Sequence, residues 1–327
     1  LGAGVARGWA HIGVLRELAA NDIQPSIISG SSIGAVVGGC AAAGELDGLE
    51  EFARAMTRRG MFNLIDISLA GGGLLSGAKL RARLDEGLPG RQIENLPTRF
   101  AAVATEVGTG HEIWLTRGPL AKAIQASYAM PGIFEPVRFG ERWLFDGALV
   151  NPIPVTVCRV LGADVVIAVD VSSTLLTRDT LRSVLDVTTQ LTNLLTRAGN
   201  DEQRRKLAGD DVLLRPEFGE DMNSVSFARM RESIQAGYDA VMEHRAELGK
   251  LALPDADYAQ YLAARNDPRM RDWPVIDFVR LDNEGPIADS LVETRLDDIR
   301  VGQPLSVDAV ERAIDILAAE AKAKEQR

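Results

Sequence analysis

The sequence has few cysteines and histidines and no long apolar run. Its two cysteines, Cys40 and Cys158, lie far apart in apolar stretches, so they form neither a metal-type spacing nor a disulfide framework, and we expect two buried free thiols. The most apolar candidate for a spanning helix, residues 33–43, is rich in glycine and alanine and shorter than the roughly 18 residues that a membrane span needs. These shortages argue against a disulfide-stabilised protein and an integral membrane protein.

The chain also lacks an excess of positive charge. Its 36 Lys and Arg residues stand against 46 Asp and Glu residues, a net charge of -10. Binding to nucleic acid, or to an anionic bilayer over the whole surface, is therefore not expected, and any membrane contact must be local and apolar. With 327 residues, 46% of them hydrophobic and 25% charged, the chain has the composition of a globular protein with a sizeable core.

The first 170 or so residues alternate apolar β-branched runs with small-residue helical runs. This alternation is typical of a parallel sheet flanked by helices, and hence of an α/β fold. The predicted strands are 27–29, 99–104, 111–115, 142–145, 165–169 and 212–214. The predicted helices are 9–20, 33–43, 49–58, 78–85, 119–128 and 154–161. The predicted organisation is a main domain over 1–250, a linker over 251–273 and a small α/β module over 274–327.

Two stretches between these elements have a less regular pattern. Residues 61–75 are apolar without clean periodicity and contain Gly71, Gly72 and Gly73. We interpret them as a mobile cap with a glycine hinge, and a buried connection is the alternative. Residues 175–209 form a long polar helical stretch with a charged end, which we interpret as a solvated surface without a functional role.

A G-x-S-x-G pattern occupies residues Gly30, Ser31, Ser32, Ile33 and Gly34. It follows a predicted strand and opens a small-residue helix, which is the context of a nucleophile elbow. The first glycine permits a sharp turn, the last lets the helix pack closely, and the central serine is held at the helix N-terminus. The pattern therefore predicts Ser32 as a nucleophile.

The beginning of the chain, G-A-G-V-A-R-G over residues 2–8, can supply hydrogen-bond donors for such a nucleophile. A small-residue loop that runs into a helix leaves backbone N–H groups, such as those of Gly4 and Val5, without partners. Such donors stabilise the oxyanion that forms when a serine attacks a carbonyl. A phosphate or dinucleotide loop is the alternative, but the Rossmann glycine spacing and its acidic residue are missing.

Asp146 is the candidate base for the serine. It follows the predicted strand 142–145 and precedes Gly147, so its carboxylate is expected at the end of a strand and on the same crevice as the elbow. The alternative is a turn-forming Asp-Gly pair. The three histidines, His11, His111 and His244, are predicted to have no catalytic role. Only His244 follows the acid in the order of an α/β-hydrolase triad, and it lies on a charged helix that we expect to face solvent.

Four blocks of sequence occur in a characteristic order: the glycine loop with its Arg7, the elbow around Ser32, residues 126–136 (A-S-Y-A-M-P-G-I-F-E-P) and residues 146–154 (D-G-A-L-V-N-P-I-P). Together they resemble the bacterial patatin-like phospholipases, relatives of the neuropathy target esterase catalytic domain, over residues 1–240. The resemblance implies a three-layer α/β/α fold and a catalytic dyad of Ser32 and Asp146.

The same resemblance assigns the oxyanion hole to the loop residues Gly4, Val5, Ala6, Arg7 and Gly8. It implies hydrolysis of a lipid carboxylic ester through an acyl-serine intermediate, as in a phospholipase A or lysophospholipase, with no metal or organic cofactor. The expected partners are a lipid ester and, transiently, a membrane or micelle surface. A thioesterase or small-ester esterase with the same dyad is one alternative, and a non-catalytic regulatory or scaffold protein is another.

The chain departs from the family pattern in two places. Ala3 and Val5 stand where glycines are usual, which keeps the backbone donors and adds a Cβ near the acyl site. The family's first strand is absent ahead of the loop, and we expect it to have been truncated.

The module at 274–327 weakly resembles a periplasmic POTRA repeat. The alternative is a packing or dimerisation module, so a protein partner or a homodimer through this segment is an open expectation. The main domain alone suggests a cytoplasmic or peripheral membrane location, whereas a true POTRA repeat implies export and association with the outer membrane.

Overall fold

A computed structural model of the chain describes residues 1–57, 73–173, 184–219 and 229–252 without a gap. Outside these ranges it describes residues 60, 64, 66, 175, 222, 256–260, 275–276, 279, 288–296, 299–304, 309–310, 313–314 and 316–317. Contacts between Cα atoms divide the chain into two units, Leu1–Ala252 and Leu253–Arg327. The candidate site lies in the first unit.

The elements of the first unit follow the alternation of the sequence closely. Its strands are β1 Ile27–Ser31, β2 Gly73–Leu75, β3 Arg99–Glu106, β4 Glu112–Leu115, β5 Gly132–Phe134, β6 Val137–Phe139, β7 Arg142–Asp146, β8 Ile167–Val169 and β9 Val212–Leu214. Its helices are α1 Ala10–Ala20, α2 Ile33–Ala42, α3 Leu46–Ala55, α4 Ala78–Gly87, α5 Leu120–Ser127, α6 Val155–Val160, α7 Val184–Arg205, α8 Met230–Glu243 and α9 Arg245–Leu248.

The main sheet is mixed. β1 and β3 are parallel, with Ile27 opposite Arg99, but β4 and β7 run antiparallel to β3, and β6 runs antiparallel to β7. The predicted parallel sheet is therefore correct for the pair β1 and β3 and wrong for β4, β6 and β7. The physical reason is that short turns join β3 to β4 and β6 to β7, and such turns can connect only antiparallel neighbours. Two smaller parallel pairs, β2 with β5 and β8 with β9, complete the strands.

Helices cover the strands on both sides, which confirms the predicted three-layer α/β/α fold. One core joins β3 and β7 to α2 and α5 through Phe100, Ile124 and Leu144. Another joins α1 and α8 to β8 and β9 through side chains that include Val14 and Leu214. The glycine loop and the turn that carries Ser32 lie where these layers meet.

The contact between α1 and α8 is close because both helices present glycine there. A Cβ added to Gly13 would lie 1.9 Å from the Ile234 carbonyl oxygen, and one added to Gly237 would lie 1.9 Å from that of Ala10. The two backbones therefore touch, and no larger side chain fits between them. This contact fixes α1, which carries the glycine loop at its N-terminal end.

The first residues of the chain connect two sheets. The Ser31 N–H donates to the Leu1 carbonyl at 3.2 Å, and the Gly2 N–H donates to the Val169 carbonyl at 3.0 Å. The Ala3 N–H donates to the Pro152 carbonyl at 2.8 Å. These bonds place the glycine loop beside the carboxyl ends of β1 and β8.

Some sequence-based predictions need correction or stay open. The short strands β2, β5 and β6 were not predicted, since three-residue strands give little periodicity. Gly73, expected in the hinge of a cap, is the first residue of β2 and pairs with Gly132. Most of the predicted cap, residues 61–63, 65 and 67–72, lies outside the described residues, so the cap stays a prediction.

The second unit is described in part. It contains helix α10, Asp289–Arg295, and a bridge between Val275 and Pro304. Most of residues 253–274 and 305–327 lies outside the described residues, so the linker and the POTRA resemblance stay predictions. None of the helices in the described part of the chain is long and apolar enough to cross a bilayer.

Candidate active site

The turn between β1 and α2 holds Ser32 in a strained conformation. Ser32 has φ 57° and ψ -123°, a region that non-glycine residues rarely adopt outside sites where the surrounding structure enforces it. Glycine on both sides permits this turn: a Cβ on Gly30 would lie 2.3 Å from the Gly34 carbonyl oxygen, and one on Gly34 would lie 2.2 Å from the Leu1 carbonyl oxygen. The predicted elbow geometry is present.

Asp146 is the last residue of β7, and it meets Ser32 across the sheet. The Ser32 hydroxyl donates to Asp146 Oδ2 at 2.7 Å, and the Asp146 side chain has its second oxygen, Oδ1, 2.8 Å from the Ala148 N–H. Asp146 is only 1% exposed. The fold therefore brings together two residues that are 114 positions apart in sequence.

The electrostatics of this pair favour proton transfer near neutrality. Burial raises the pKa of Asp146 from 3.8 to about 7, although the hydrogen bonds from the Ala148 N–H and the Ser32 hydroxyl act in the opposite direction. A carboxylate with a raised pKa is a stronger base than an exposed aspartate and is still ionised at or above pH 7. Asp146 can therefore accept the serine proton.

Further hydrogen bonds, from backbone and side-chain groups, hold Ser32 and Asp146 in place. The Ser127 hydroxyl accepts from the Ser32 N–H at 3.0 Å and donates to the Val103 carbonyl at 2.5 Å. The Thr105 hydroxyl donates to the Asp146 carbonyl at 2.8 Å. Ser127 and Thr105 were not predicted as site residues. The Ala126-Ser127 dipeptide that opens the third sequence block was the one available signal for Ser127.

Part of the glycine loop borders the crevice that contains Ser32. Gly4 and Val5 line the crevice beside Ser32, and they stand at the first turn of a 3-10 helix, Val5–Trp9, where N–H groups have no partner within the helix. The Arg7 N–H donates to the Gly4 carbonyl at 3.1 Å, and Gly8 packs so closely on Ile33 that a Cβ would lie 2.0 Å from its Cγ2.

These contacts narrow the set of candidate oxyanion donors. Of the five predicted residues, the Arg7 N–H is already used within the loop, and Gly8 serves the packing of the loop on α2. Ala6 is buried and is not among the residues that line the crevice. The N–H groups of Gly4 and Val5 remain as the candidate donors that border Ser32. The Arg7 guanidinium lies over the Phe218 ring, 4.1 Å from its centroid.

None of the three histidines is hydrogen-bonded to the pair in the structure. His11 is fully buried, and its Nε2 lies 2.7 Å from the Gly2 carbonyl oxygen. Burial lowers the pKa of His11 to about 3, so its ring is neutral and supports the loop by donating to Gly2. His111 is exposed. His244 is half-buried, not fully solvated as predicted, and its Nδ1 lies 2.9 Å from the Ala240 carbonyl oxygen.

The long helix α7 forms the wall opposite the loop. The sequence predicts the helix, but its interpretation as a solvated surface is wrong for the side that carries Thr196, Asn200 and Gln203, which are buried. Thr192, Asn193, Thr196 and Asn200 line the same crevice as Ser32. The polar side of α7 faces the protein, where its hydroxyl and amide groups border the place that a substrate would occupy.

Within the part of the chain that the structure describes, two of these polar groups have no hydrogen-bond partner. The Asn193 Nδ2 and the Asn200 Oδ1 are buried and accept or donate no hydrogen bond, and Asn200 as a whole is 6% exposed. A buried polar atom without a partner costs free energy, so it indicates a place for a ligand or water. Sequence reasoning missed both residues, because a polar helix face does not reveal whether it turns inward.

Other contacts of α7 hold it against the segment that supports the loop. The Gln203 Oε1 accepts from the Thr156 N–H at 3.2 Å, and Arg204 forms an ion pair with the buried Asp170 just after β8. A Cβ on Gly199 would lie 3.0 Å from Pro152 Cδ. The wall is therefore fixed at its C-terminal half, close to Asn200.

Comparisons with known proteins agree with this geometry. Residues 1–159 match the family described as patatin-like phospholipase. An uncharacterized NTE family protein of Mycobacterium tuberculosis is 40% identical over 172 residues, which are 53% of this chain and 48% of that protein. Patatin-like phospholipase domain-containing protein 7 of Mus musculus is 32% identical over 180 residues, which are 53% of this chain and 13% of that protein.

The chain thus spans about half the length of the mycobacterial relative and less of the mouse protein. Among solved structures, VipD from Legionella pneumophila is similar over 76% of this chain and 66% of that chain, with a TM-score of 0.40 and 12% identity. That similarity is too small to support an argument. The family match and the sequence relatives agree: residues 1–159 of this chain are similar to the patatin-like phospholipase family.

Proposed function

We propose that this chain hydrolyses carboxylic esters of lipids, with Ser32 as the nucleophile and Asp146 as the general base. The observation that carries the proposal is the 2.7 Å hydrogen bond from the Ser32 hydroxyl to a buried carboxylate. It joins a serine in a strained elbow to a base whose pKa is raised to about 7. The family name supports a lipid as the class of substrate.

The first half of the reaction forms an acyl-enzyme. The Ser32 oxygen attacks the ester carbonyl carbon, and Asp146 Oδ2 takes the hydroxyl proton. The carbonyl oxygen becomes an oxyanion, which accepts hydrogen bonds from the Gly4 and Val5 N–H groups. The tetrahedral intermediate then collapses, the C–O bond to the alcohol breaks, and the alcohol leaves with the proton from Asp146.

The second half releases the acid. Water occupies the place of the alcohol and gives a proton to Asp146 as its oxygen attacks the acyl carbon. As the second tetrahedral intermediate collapses, the bond between the Ser32 oxygen and the acyl carbon breaks, Asp146 returns the proton to the Ser32 oxygen, and the fatty acid leaves. The same carboxyl group therefore acts as base and acid in turn, which requires a pKa near the working pH.

A thioesterase or small-ester esterase would use the same residues, and the structure offers no observation that favours either over a lipid esterase. Hydrolysis rates on matched acyl esters and thioesters of increasing chain length would separate these substrates. A scaffold without activity is disfavoured by the strained Ser32, because such strain persists at sites where it is part of a mechanism.

The test is hydrolysis of p-nitrophenyl esters by Ser32→Ala and Asp146→Asn. Each variant is expected to lose at least about 10³-fold in kcat, as other hydrolases do when a unit of this kind is broken. Ser31→Ala is the matched control, since the Ser31 hydroxyl donates to the Asn151 carbonyl at 2.5 Å and takes no part in the pair. A folded Ser32→Ala or Asp146→Asn variant with near wild-type turnover would overturn the dyad.

A further inference from the structure

Helix α7 exposes a row of large apolar side chains to solvent. Val187, Leu191, Leu194 and Leu195 are between 47% and 68% exposed. They are spaced four, three and one residues apart, so they share one side of the helix. We call these four residues the leucine face.

The polar side chains of α7 lie on the opposite side. Asn193, Thr196, Asn200 and Gln203 are spaced three, four and three residues apart and face the protein. At 100° per residue, Thr196 and Asn200 stand roughly opposite Leu191 and Leu195. The helix is therefore inverted relative to a surface helix of a soluble protein, which turns its apolar side to the core.

A helix that exposes its apolar side in this way needs a partner that covers that side. Single exposed apolar residues are ordinary, but a continuous row on one helix face marks a surface that binds something. We propose that the leucine face docks this protein on the surface of a neutral, zwitterionic lipid layer. The proposal rests on the proposed lipid substrate, and it names the surface from which that substrate is drawn.

The position of the face supports a lipid surface as the occupant. The same helix turns Asn193 and Asn200 into the crevice that holds Ser32. Docking through the leucine face would therefore place one wall of the crevice against the layer that contains the ester. An amphipathic helix binds such a layer by lying in its interface with the apolar side down.

Charge selects the kind of lipid surface. The net charge of -10 opposes attraction to anionic lipids. Arg197, two residues after Leu195, is exposed, and an arginine at the border of an apolar face can reach a phosphate group while its stem stays in apolar contact. A zwitterionic phosphate head group fits both observations.

A second copy of the chain fits the face less well. A stable protein interface takes roughly 20–30 residues and about 800 Å² from each partner. The leucine face consists of four side chains along about two turns of helix, which is far less. A lipid layer has no such minimum, because it surrounds the inserted side chains.

The experiment measures sedimentation of the full chain with phosphatidylcholine vesicles, using Ser32→Ala so that the lipid is not hydrolysed. The test variant adds Leu194→Gln and Leu195→Gln, and the matched control adds Val107→Gln and Val160→Gln, which are also exposed. We expect the leucine variant to bind about tenfold more weakly, from the loss of apolar burial by two side chains. The control should change less than about twofold.

The corresponding pair of variants with Ser32 intact separates docking from chemistry. The leucine variant should hydrolyse a soluble p-nitrophenyl ester at the wild-type rate, which also shows that it is folded, and should lose about tenfold on vesicle-bound ester. Equal vesicle binding by the wild type and the leucine variant would overturn docking. So would a wild-type dimer that the leucine changes dissociate without an effect on vesicle binding. Vesicle binding without any ester hydrolysis would instead contradict the proposed function alone.

Discussion

The crevice has two walls: the catalytic wall, with Ser32, Asp146 and the glycine loop, and the α7 wall. The polar groups of the two walls differ in how many of their hydrogen bonds they form within the protein. On the catalytic wall, the Ser32 hydroxyl and both Asp146 carboxylate oxygens are hydrogen-bonded within the protein. On the α7 wall, Asn193 and Asn200 each keep a buried amide atom that has no hydrogen-bond partner among the described residues. A group that is fully bonded in advance is oriented for chemistry, whereas a group left open is available to a ligand. In the proposed function, the catalytic wall performs the reaction, and we expect the α7 wall to recognise what is bound.

After the loss of Ser32 or Asp146 themselves, the largest effect should come from displacing the glycine loop of the catalytic wall. In Gly4→Ala the new Cβ would lie 2.6 Å from the Val171 carbonyl oxygen, so the loop and its N–H groups must shift. Loss of one oxyanion donor typically costs about 10²- to 10³-fold in kcat, and we expect a loss of that size. Gly87→Ala, whose Cβ meets nothing within 4 Å, is the control. A Gly4→Ala enzyme with kcat within about fivefold of wild type would show that this loop is not the donor.

The next effect is the pH dependence that Asp146 imposes. Since the pKa of this buried base is about 7, kcat/KM should fall about tenfold per pH unit below 7 and level off above it. A profile that is flat between pH 5 and 8 would contradict a buried carboxylate base.

The same group has a consequence for stability. Its pKa is raised from 3.8 to about 7 on folding, so its protonated form stabilises the fold below the unfolded pKa, and that stability is lost as the pH rises through 7. The Asp146→Asn variant has no carboxyl group to ionise at this position, so it does not lose stability in this way as the pH rises. The Tm of the variant, relative to wild type, should therefore be higher at pH 8 than at pH 5 in a thermal unfolding experiment.

A smaller effect is expected on the α7 wall. Asn200→Ala removes one hydrogen-bonding group from the crevice, and a typical hydrogen bond of about 1 kcal/mol corresponds to a roughly fivefold change in binding. We expect KM on a lipid ester to rise by about that factor with kcat within twofold. Asn95→Ala, an exposed asparagine elsewhere, is the control. If kcat falls instead of KM rising, the two walls do not divide their roles as described.

The smallest effects should come from the histidines. His11→Ala, His111→Ala and His244→Ala are each expected to keep at least about a tenth of wild-type kcat, in contrast to the roughly 10⁴-fold loss in a disabled triad. His11→Ala should show the largest change of the three, because it removes the bond to Gly2. A 10³-fold loss in a folded histidine variant would mean that the base assignment is wrong.

The two walls also differ in how far the sequence predicts them. The elbow at Gly30–Gly34 is formed by five consecutive residues, so its geometry follows from a local sequence pattern. Asp146 could be placed at a strand end, but its bond to Ser32 depends on the pairing of β3 with both β1 and β7. The Ser127 support and the choice of Gly4 and Val5 over Arg7 depend on individual hydrogen bonds that no spacing reveals.

The orientation of helix α7 could not be predicted from the sequence. In an amphipathic helix on a protein surface, the usual arrangement turns the leucines inward and the polar residues outward. The structure has the opposite arrangement, with Leu195 exposed and Asn200 buried. Periodicity fixes which residues share a face, but the direction of that face depends on the tertiary packing at Gly199 and Gln203.

The most direct test of the catalytic wall is covalent labelling by a fluorophosphonate, followed by peptide mass spectrometry. The probe needs both an activated serine and donors for its phosphoryl oxygen. We predict a single adduct on Ser32, no labelling of Ser32→Ala, strongly slowed labelling of Asp146→Asn, and normal labelling of the Ser31→Ala control. An adduct on a different serine, or a folded wild-type protein that resists the probe, would contradict the assignment of Ser32 and Asp146.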